Sequence, residues 1–336
     1  MTMSPSRWLP LTLAVALGGA SLSAQAATSL RLSTLFAPDE SGTQAAEAMA
    51  ERVAERTEGE VTIDVYPASQ LGDWTEVHAQ LMQGAVDMAI QPLSTNVNPQ
   101  MAIAWFPYLA PTYAAAREAY SADGYVAELV GDMIGEQNMA LLGVYPAGMG
   151  GAGFAAEVPA PKDPNAEQGL RIRVWPGGTT HRTMMERLGF EVATVPWAEL
   201  YTSMQTGVVD GQIGGTAEMA MANFADITET WVQYNDHLEL AWIVINQQSL
   251  DRLAPEHQQV VRDVAQEITL ERFDEVQAAD QAQLDAMREA GIEVVTFSDE
   301  ELAQFADVVR QEVWPEIGDE LGEEVMERLE AAVAAE

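Results

Sequence analysis

The chain has 336 residues, a formal net charge of −36 and no cysteine. This negative charge excludes nucleic-acid binding, and the absence of cysteine excludes disulfides and thiol chemistry. The 52 Asp and Glu residues are spread along the chain, which favours a solvated surface suited to the high external salt of a halophilic organism over a local site for cationic ligands.

Residues 1–26 have the features of a secretory signal peptide. Arg7 supplies a positive charge, an apolar run extends from Leu9 to Ala20, and small residues precede a cleavage site near Ala26. The apolar run is about half of the ~20 residues that a membrane span requires. We therefore expect export and a mature chain in the periplasm that is long enough for two domains, with an uncleaved anchor as the alternative.

Strands and helices alternate along the mature chain, which predicts a largely parallel α/β sheet. Periodicity predicts strands over 30–33, 61–66, 86–90 and 141–145, and helices over 41–56, 74–82 and 114–137. The glycine-rich run 147–154 then interrupts the pattern, and we place the first crossing to a second lobe there. Its glycines favour a flexible crossover.

The second lobe repeats the alternation, and the chain then returns. We predict a strand at 171–174, a helix over 179–188, a strand near 192, a helix over 199–206, a strand over 242–246, a long helix over 255–288 and further helices over 299–335. A helix of about 30 residues measures about 45 Å, enough to cross the backs of both lobes. A coiled-coil partner surface is the alternative for this helix.

Two arginines share one face of a predicted strand. Leu170, Ile172 and Val174 alternate with Arg171 and Arg173, so a period of two places both guanidinium groups on the opposite face. Arg173 lies toward the carboxyl end of the strand, where open α/β sheets bind ligands. We predict that Arg173 captures a planar anion such as a carboxylate, with a structural ion pair as the alternative, and we favour a surface position for Arg171.

Polar groups of two further segments are candidates for ligand contact. Gln91 follows the predicted strand 86–90, where its amide can bond a ligand or serve a structural role. Asp210 and Gly211 predict a tight turn before a helix, where backbone N–H groups and Gln212 can face an anion.

No catalytic motif is recognisable. G-x-S-x-G and H-E-x-x-H sequences are absent, and the four histidines are scattered. Gly148, Gly150 and Gly153 have the spacing of a dinucleotide-binding loop, but Pro146 precedes them and no helix follows. We therefore predict a protein that is not an enzyme and that has neither a cofactor nor a metal; an enzyme acting on organic acids is the alternative.

Three parts of the chain resemble the DctP-type periplasmic solute-binding proteins of TRAP transporters. They are GLRIRVW with LGFEVATVPWAELYTSMQTGVVDGQ, TIDVYPASQLGDWTEVHAQLMQGAVDMAI, and WFPYLAPTYAAAREAY. The resemblance covers essentially the whole mature chain. It implies two α/β lobes around a ligand cleft, which we divide into lobe I (27–148 and 238–278) and lobe II (149–237 and 279–336), with a long helix spanning both.

The resemblance also implies which residues contact the ligand. Arg173 would hold the substrate carboxylate by a two-pronged salt bridge. Where many relatives have Glu-Asn, this chain has Ile213 and Gly214, which removes a polar contact and enlarges the pocket. The crossover also lacks the second basic residue of relatives. Aromatic side chains at matching positions can sandwich an apolar body or pack in the core; they are Trp197, Trp74, Trp175 and Phe36.

Together these features predict capture without chemistry. We expect a monocarboxylate with an apolar or aromatic body, bound by lobe closure and delivered to the small and large membrane subunits of an ion-gradient-driven TRAP permease. A sensory protein for organic acids is the alternative with the same fold. By resemblance to some relatives, a cation bridging the ligand and a carboxylate such as Glu218 is a further variant, which nothing in the sequence requires.

Overall fold

A computed structural model of the chain describes residue 1 and residues 27–333. The predicted signal peptide, its cleavage site and the end of the last predicted helix lie outside the described residues. Within the described ranges, no helix combines the length and the apolar character that crossing a bilayer requires.

The first sheet contains five strands in the order β2-β1-β3-β10-β4. Its strands are β1 (Thr28–Thr34), β2 (Val61–Tyr66), β3 (Met88–Gln91), β4 (Met139–Met149) and β10 (Leu238–Asn246). β1 pairs in parallel with β2 and β3, whereas β10 runs antiparallel between β3 and β4. The central strands β3 and β10 are buried on both faces.

The second sheet contains six strands in the order β11-β9-β5-β8-β6-β7. Its strands are β5 (Ala152–Phe154), β6 (Arg171–Val174), β7 (Glu191–Thr194), β8 (Gly211–Ile213), β9 (Thr230–Val232) and β11 (Glu293–Val295). β6 is parallel to β7 and β8, while β5 is antiparallel to β8 and β9. Each sheet is thus largely parallel, as predicted, with one antiparallel strand, β10 in the first and β5 in the second. These two strands follow the crossings and enter their sheets without a crossover helix.

Helices cover both sheets. They are α1 (Ser41–Arg56), α2 (Trp74–Met82), α3 (Tyr113–Tyr120), α4 (Tyr125–Gly135), α5 (Thr179–Arg187), α6 (Trp197–Gln205), α7 (Ala217–Phe224), α8 (Gln247–Asp251), α9 (Pro255–Glu289), α10 (Asp299–Val308), α11 (Trp314–Leu321) and α12 (Glu323–Val333), with a 3₁₀ helix at Pro99–Trp105 and a π-helical turn at Val309–Val313. Side-chain caps start several of them, as at Asp73, which accepts a hydrogen bond from the Thr75 N–H.

One local prediction is wrong. The helix expected over 114–137 is broken into α3 and α4 by a turn that ends at Gly124. Glycine permits this turn, because a Cβ at Gly124 would collide with the Ala119 carbonyl. The glycine-rich run 147–154 makes the predicted crossing from β4 to β5, and it is buried. A Cβ at Gly150 would clash with the His237 ring, so this glycine permits close packing.

The predicted long helix is confirmed as α9, which has 35 residues and measures about 50 Å. It packs on β4 of the first sheet and on β11 of the second. Thr269 in α9 accepts a hydrogen bond from the Val144 N–H at 3.0 Å, and the absence of a side chain at Gly143 makes this approach possible. The helix therefore spans both lobes of the fold.

The C-terminal helices contact both lobes, although we expected them to cover the second. Glu312 pairs with Arg187 of α5 at 2.7 Å, and the Trp314 indole donates to the Pro107 carbonyl of the first lobe at 2.9 Å. Sheet membership divides the strands at the two crossings, between β4 and β5 and between β9 and β10. The predicted lobe boundary within α9, at residue 278, stays a prediction.

Candidate functional site

A cavity lies between the two sheets, and both lobes line it. The lining residues are Leu35, Trp74, Pro92, Trp105 and Glu239 from the first lobe and Arg173, Trp175, Trp197, Gly214, Gly215 and Met219 from the second. The empty space between them is about 410 Å³, including the part that opens to solvent. Small-molecule sites occur preferentially at the interface between domains, and this cavity has that position.

Arg173 is the basic residue of the cavity lining. It lies on β6, with Gln212 of β8 and Ala193 of β7 as its neighbours in register, and its side chain is only 2% exposed. Its Nε donates to the Val195 carbonyl at 2.8 Å, which fixes the guanidinium group. No described carboxylate forms an ion pair with it, so the structural ion pair that we considered for Arg173 is not formed within the described part of the chain.

Burial lowers the pKa of Arg173 to about 10, although the carboxylates of Asp73 and Glu239 act in the opposite direction. The side chain therefore remains a cation at neutral pH. A buried cation without a counter-charge is costly, since water no longer solvates it. An anion in the cavity would remove this cost.

Arg171 lies in a different environment. Its guanidinium pairs with Glu191 at 3.0 Å, and about half of its side chain is exposed (52%). Although both arginines occur on β6, only Arg173 reaches the cavity, because the strand enters the interior between these two positions. The structure therefore places Arg171 on the surface, as favoured from the sequence.

Tryptophans line much of the cavity. The rings of Trp74 and Trp105 are 6.2 Å apart, and those of Trp105 and Trp175 are 5.4 Å apart. Trp197 lies on the other side, where its ring centroid is 5.7 Å from the Arg173 guanidinium carbon. Such faces bind flat or apolar groups and stabilise cations.

Gly214 brings its backbone against one of these rings. It adopts a φ of +92°, and a Cβ at this position would lie 2.7 Å from Cζ3 of Trp175. Five of the eight predicted site residues thus share this cavity; they are Arg173, Trp197, Trp74, Trp175 and Gly214.

Two predicted glutamines lie behind the lining. Gln91 is the last residue of β3 and not a residue after the strand, and its amide donates to the Trp74 carbonyl at 2.9 Å. Gln212 is in the buried strand β8, which begins at Gly211, so the prediction of a tight turn at Asp210 and Gly211 before a helix is wrong at Gly211. Pairing with β5 and β6 holds this segment extended. The Gln212 amide lies 2.6 Å from the Gly214 carbonyl and donates to it.

Phe36 also lies away from the lining. Its ring packs edge-on against Tyr145, with 5.8 Å between centroids, and it fills the space above Gly42. This is the core packing that we considered as the alternative. Leu35, the preceding residue, lines the cavity instead, because successive side chains of an extended segment point in opposite directions.

The sequence did not lead us to six residues of the lining; these are Leu35, Pro92, Trp105, Gly215, Met219 and Glu239. Glu239 had a usable signal, since it is the one charged residue of the apolar strand β10. A buried charge in such a strand is costly and therefore indicates a specific partner or a site.

Glu239 belongs to a buried polar cluster. Its carboxylate bonds His237 Nε2 at 2.9 Å, and the Asp236 carboxylate bonds His237 Nδ1 at 2.6 Å and His181 Nε2 at 2.8 Å. Burial opposes charging of His237, but Asp236 and Glu239 outweigh it and raise the pKa of His237 to about 10. Burial lowers the pKa of His181 despite the hydrogen bond to Asp236. His237 is thus a cation between two carboxylates, and His181 is neutral.

His181, Asp236 and His237 also offer three atoms of the kind that bind metals. Ligand atoms around a tetrahedral zinc with bonds of about 2.0–2.1 Å are about 3.3 Å apart. The Asp236 oxygen is only 2.6 and 2.8 Å from the two imidazole nitrogens. These separations fit hydrogen bonds, which explain the cluster without an ion.

Comparisons with known proteins agree with this architecture. The family model for bacterial extracellular solute-binding proteins, family 7 (DctP), matches residues 32–320. The 2,3-diketo-L-gulonate-binding periplasmic protein YiaO of Escherichia coli is 27% identical over 301 residues, which cover 87% of this chain and 88% of that protein.

Solved structures share the fold. A TRAP periplasmic solute-binding protein of Desulfovibrio salexigens with bound orotic acid has a TM-score of 0.80 at 20% identity, covering 91% of this chain and 99% of its own. A TRAP protein of Ralstonia eutropha with bound (S)-2-acetolactate has a TM-score of 0.81 at 19% identity, covering 92% of this chain and 99% of its own. At these identities the likeness establishes the fold alone.

Proposed function

This chain belongs to the DctP family, the family 7 extracellular solute-binding proteins of TRAP transporters, and we propose that it captures a small organic acid in the periplasm. The proposal includes delivery of the ligand to the small and large membrane subunits of a TRAP permease. Members of this family are receptors, so we propose binding without chemical conversion of the ligand.

One observation carries the proposal: Arg173 is buried in the cavity lining as a cation without a described carboxylate partner. Val195 holds its Nε, so the remaining guanidinium N–H groups are available to a ligand. A carboxylate matches this planar donor group in a two-pronged hydrogen bond. Burial excludes water and strengthens such a pair.

The ligand that we propose is a monocarboxylate with an apolar or aromatic body. One guanidinium in the lining favours one carboxylate, and the surrounding tryptophans and Met219 favour an apolar body. Gln91 and Phe36 would support the lining from behind, and Gln212 would hold the Gly214 backbone next to Trp175.

Lobe closure would complete the site. Trp74 and Trp105 come from the first lobe and Arg173 and Trp197 from the second, so a ligand that contacts both sets favours the closed arrangement. Closure of this kind reports loading to a membrane partner through a change in the relative position of the lobes.

The test compares two arginines of one strand. Residues 27–336 with Arg173→Gln or with the surface control Arg171→Gln are screened by thermal shift at high salt against organic acids, and hits are measured by calorimetry. A ligand at 100 times its Kd adds about 2.7 kcal/mol of stability. We expect binding to wild type and Arg171→Gln, and at least a 30-fold loss with Arg173→Gln, since an unpaired buried carboxylate costs about 2–5 kcal/mol.

Two outcomes would contradict parts of this proposal. If Arg173→Gln binds the ligand as tightly as Arg171→Gln does, Arg173 does not contact the ligand. Binding of highly polar sugar acids alone would contradict the apolar body while leaving organic-acid capture intact. Circular dichroism of each variant controls for folding.

A further inference from the structure

The cavity lining contains a second charged residue, of opposite sign to Arg173. Glu239 is the acidic residue of its lining, and it comes from β10 of the first lobe, whereas Arg173 comes from β6 of the second. The charge of Glu239 acts on Arg173, yet the two side chains do not form an ion pair. One lining therefore presents both a carboxylate and a guanidinium that are not paired with each other.

Only one oxygen of Glu239 is engaged. Oε2 accepts from His237 Nε2 at 2.9 Å, which orients the carboxylate. Oε1 accepts no hydrogen bond from the described residues. Because Glu239 faces the cavity, this oxygen is available to a hydrogen-bond donor of a ligand.

The charged residues around Glu239 carry an excess of negative charge. Asp236 and Glu239 are two anions, and His237 is the single cation between them. His181 bonds Asp236 as a neutral ring. The cluster thus carries one net negative charge beside the cavity, and Arg173 carries one positive charge in the same lining.

A simple carboxylate would neutralise Arg173 but leave the net negative charge of the Asp236, His237 and Glu239 cluster uncompensated beside the cavity, which is unfavourable. We propose that the preferred ligand is zwitterionic, with its carboxylate at Arg173 and a cationic N–H donor at Glu239 Oε1. This narrows the proposed function and rests on it. The nearby tryptophan faces add a cation–π attraction for the same group.

The experiment uses matched ligand pairs that differ in the amino group. L-proline is compared with tetrahydrofuran-2-carboxylate, L-leucine with 4-methylpentanoate and L-phenylalanine with 3-phenylpropanoate, by calorimetry on wild-type protein at high salt. We expect at least one zwitterion to bind at least 10-fold more tightly than its partner. Tighter binding of the partner in every pair that binds would overturn the inference.

Glu239→Gln tests the residue itself. Glutamine keeps the oxygen that accepts from His237 but removes the charge. We expect at least a 10-fold loss of affinity for the zwitterion and no loss for its counterpart without an amino group. Equal losses for both members of a pair would contradict a charge role for Glu239. If the variant does not fold, the comparison of ligand pairs on wild-type protein decides the question alone.

Arg173→Gln separates the two proposals. It should weaken both members of each pair, because both carry the carboxylate. If it weakens both while Glu239→Gln weakens neither, the organic-acid site stands and the zwitterion is refuted. If no acid of either set binds wild type, the inference and the apolar-acid form of the proposed function fail together.

Discussion

Glu218 accepts two hydrogen bonds from Ser41, one from the backbone N–H at 2.8 Å and one from the hydroxyl at 2.6 Å. Ser41 begins α1 on the first lobe, whereas Glu218 lies in the first turn of α7 on the second. The Tyr145 hydroxyl donates to the Ser41 hydroxyl at 2.6 Å and extends the network. A carboxylate is favoured at a helix N-terminus, so this contact holds the two lobes together. It also engages both oxygens of the residue that we considered for a bridging cation.

Glu218→Gln should weaken the closed arrangement without unfolding the protein. Charge-assisted hydrogen bonds contribute about 1.5–3 kcal/mol, so we expect up to about a 10- to 150-fold loss of ligand affinity and a larger radius of gyration of the liganded protein. Calorimetry and small-angle scattering measure the two effects. Glu199→Gln is the control, because Glu199 is an exposed glutamate in the first turn of α6. Wild-type affinity in Glu218→Gln would show that the contact does not stabilise closure.

Glu40 should make the stability of the protein depend on pH. Burial, with the charges of Glu218 and Asp39, raises the pKa of Glu40 from its ordinary 4.5 to about 7. The folded protein therefore binds this proton more tightly than the unfolded chain does. The contribution of Glu40 to stability is largest below pH 4.5, declines as the pH rises to about 7, and is constant above that.

Glu40→Gln removes this titration. We expect the variant to be more stable than wild type at pH 8, by at most about 3 kcal/mol, and similar to it at pH 4. Urea unfolding at constant high salt measures both values. An equal difference at the two pH values would mean that ionisation of Glu40 is not the cause.

Segments with a regular apolar period were predictable from the sequence. The predicted bounds of α1, β2 and α2 agree with the structure because the period is a property of each segment itself. Arg173 was found for a similar reason, since alternation within β6 and its position in the strand point to the cavity. The same alternation did not by itself show that the Arg171 side chain lies outside the cavity.

Residues that tertiary pairing brings to the cavity were not predictable. Glu239 reaches it because β10 joins the first sheet between β3 and β4, far along the chain from either neighbour. Trp105 ends a 3₁₀ helix that has no strong period of its own. The three-residue strand β8 is too short to show a period of its own and is extended because it pairs with neighbouring strands. This is why Gln212 was expected beside a turn.

Trp197 should contribute to affinity more than to stability. Its ring lies over Arg173 and packs against Phe224 at 5.3 Å, yet the side chain is only half-buried. Trp197→Leu loses the aromatic face, worth about 0.5–1.5 kcal/mol, and the cation–π contact, worth about 0.5–2 kcal/mol, so we expect about a 5- to 400-fold loss of ligand affinity. Tyr201→Leu on the same helix is the control, since Tyr201 bonds Asp226 away from the cavity. Equal losses in the two variants would point to α6 as a whole.

Gly214 and Gly207 provide a matched pair for testing the position of Trp175. Both have positive φ, +92° and +71°, so alanine at either site carries backbone strain of about 1 kcal/mol. Only at Gly214 would the new Cβ meet a neighbour, Cζ3 of Trp175 at 2.7 Å, whereas nothing lies within 4 Å of a Cβ at Gly207. We expect both variants to have a lower Tm than wild type, but only Gly214→Ala to lose ligand affinity. The expected loss is on the order of 10-fold or more, because the new Cβ displaces the ring from its packed position. Thermal unfolding and calorimetry measure the two quantities, and an equal loss of affinity in Gly207→Ala would assign the effect to backbone strain and not to Trp175.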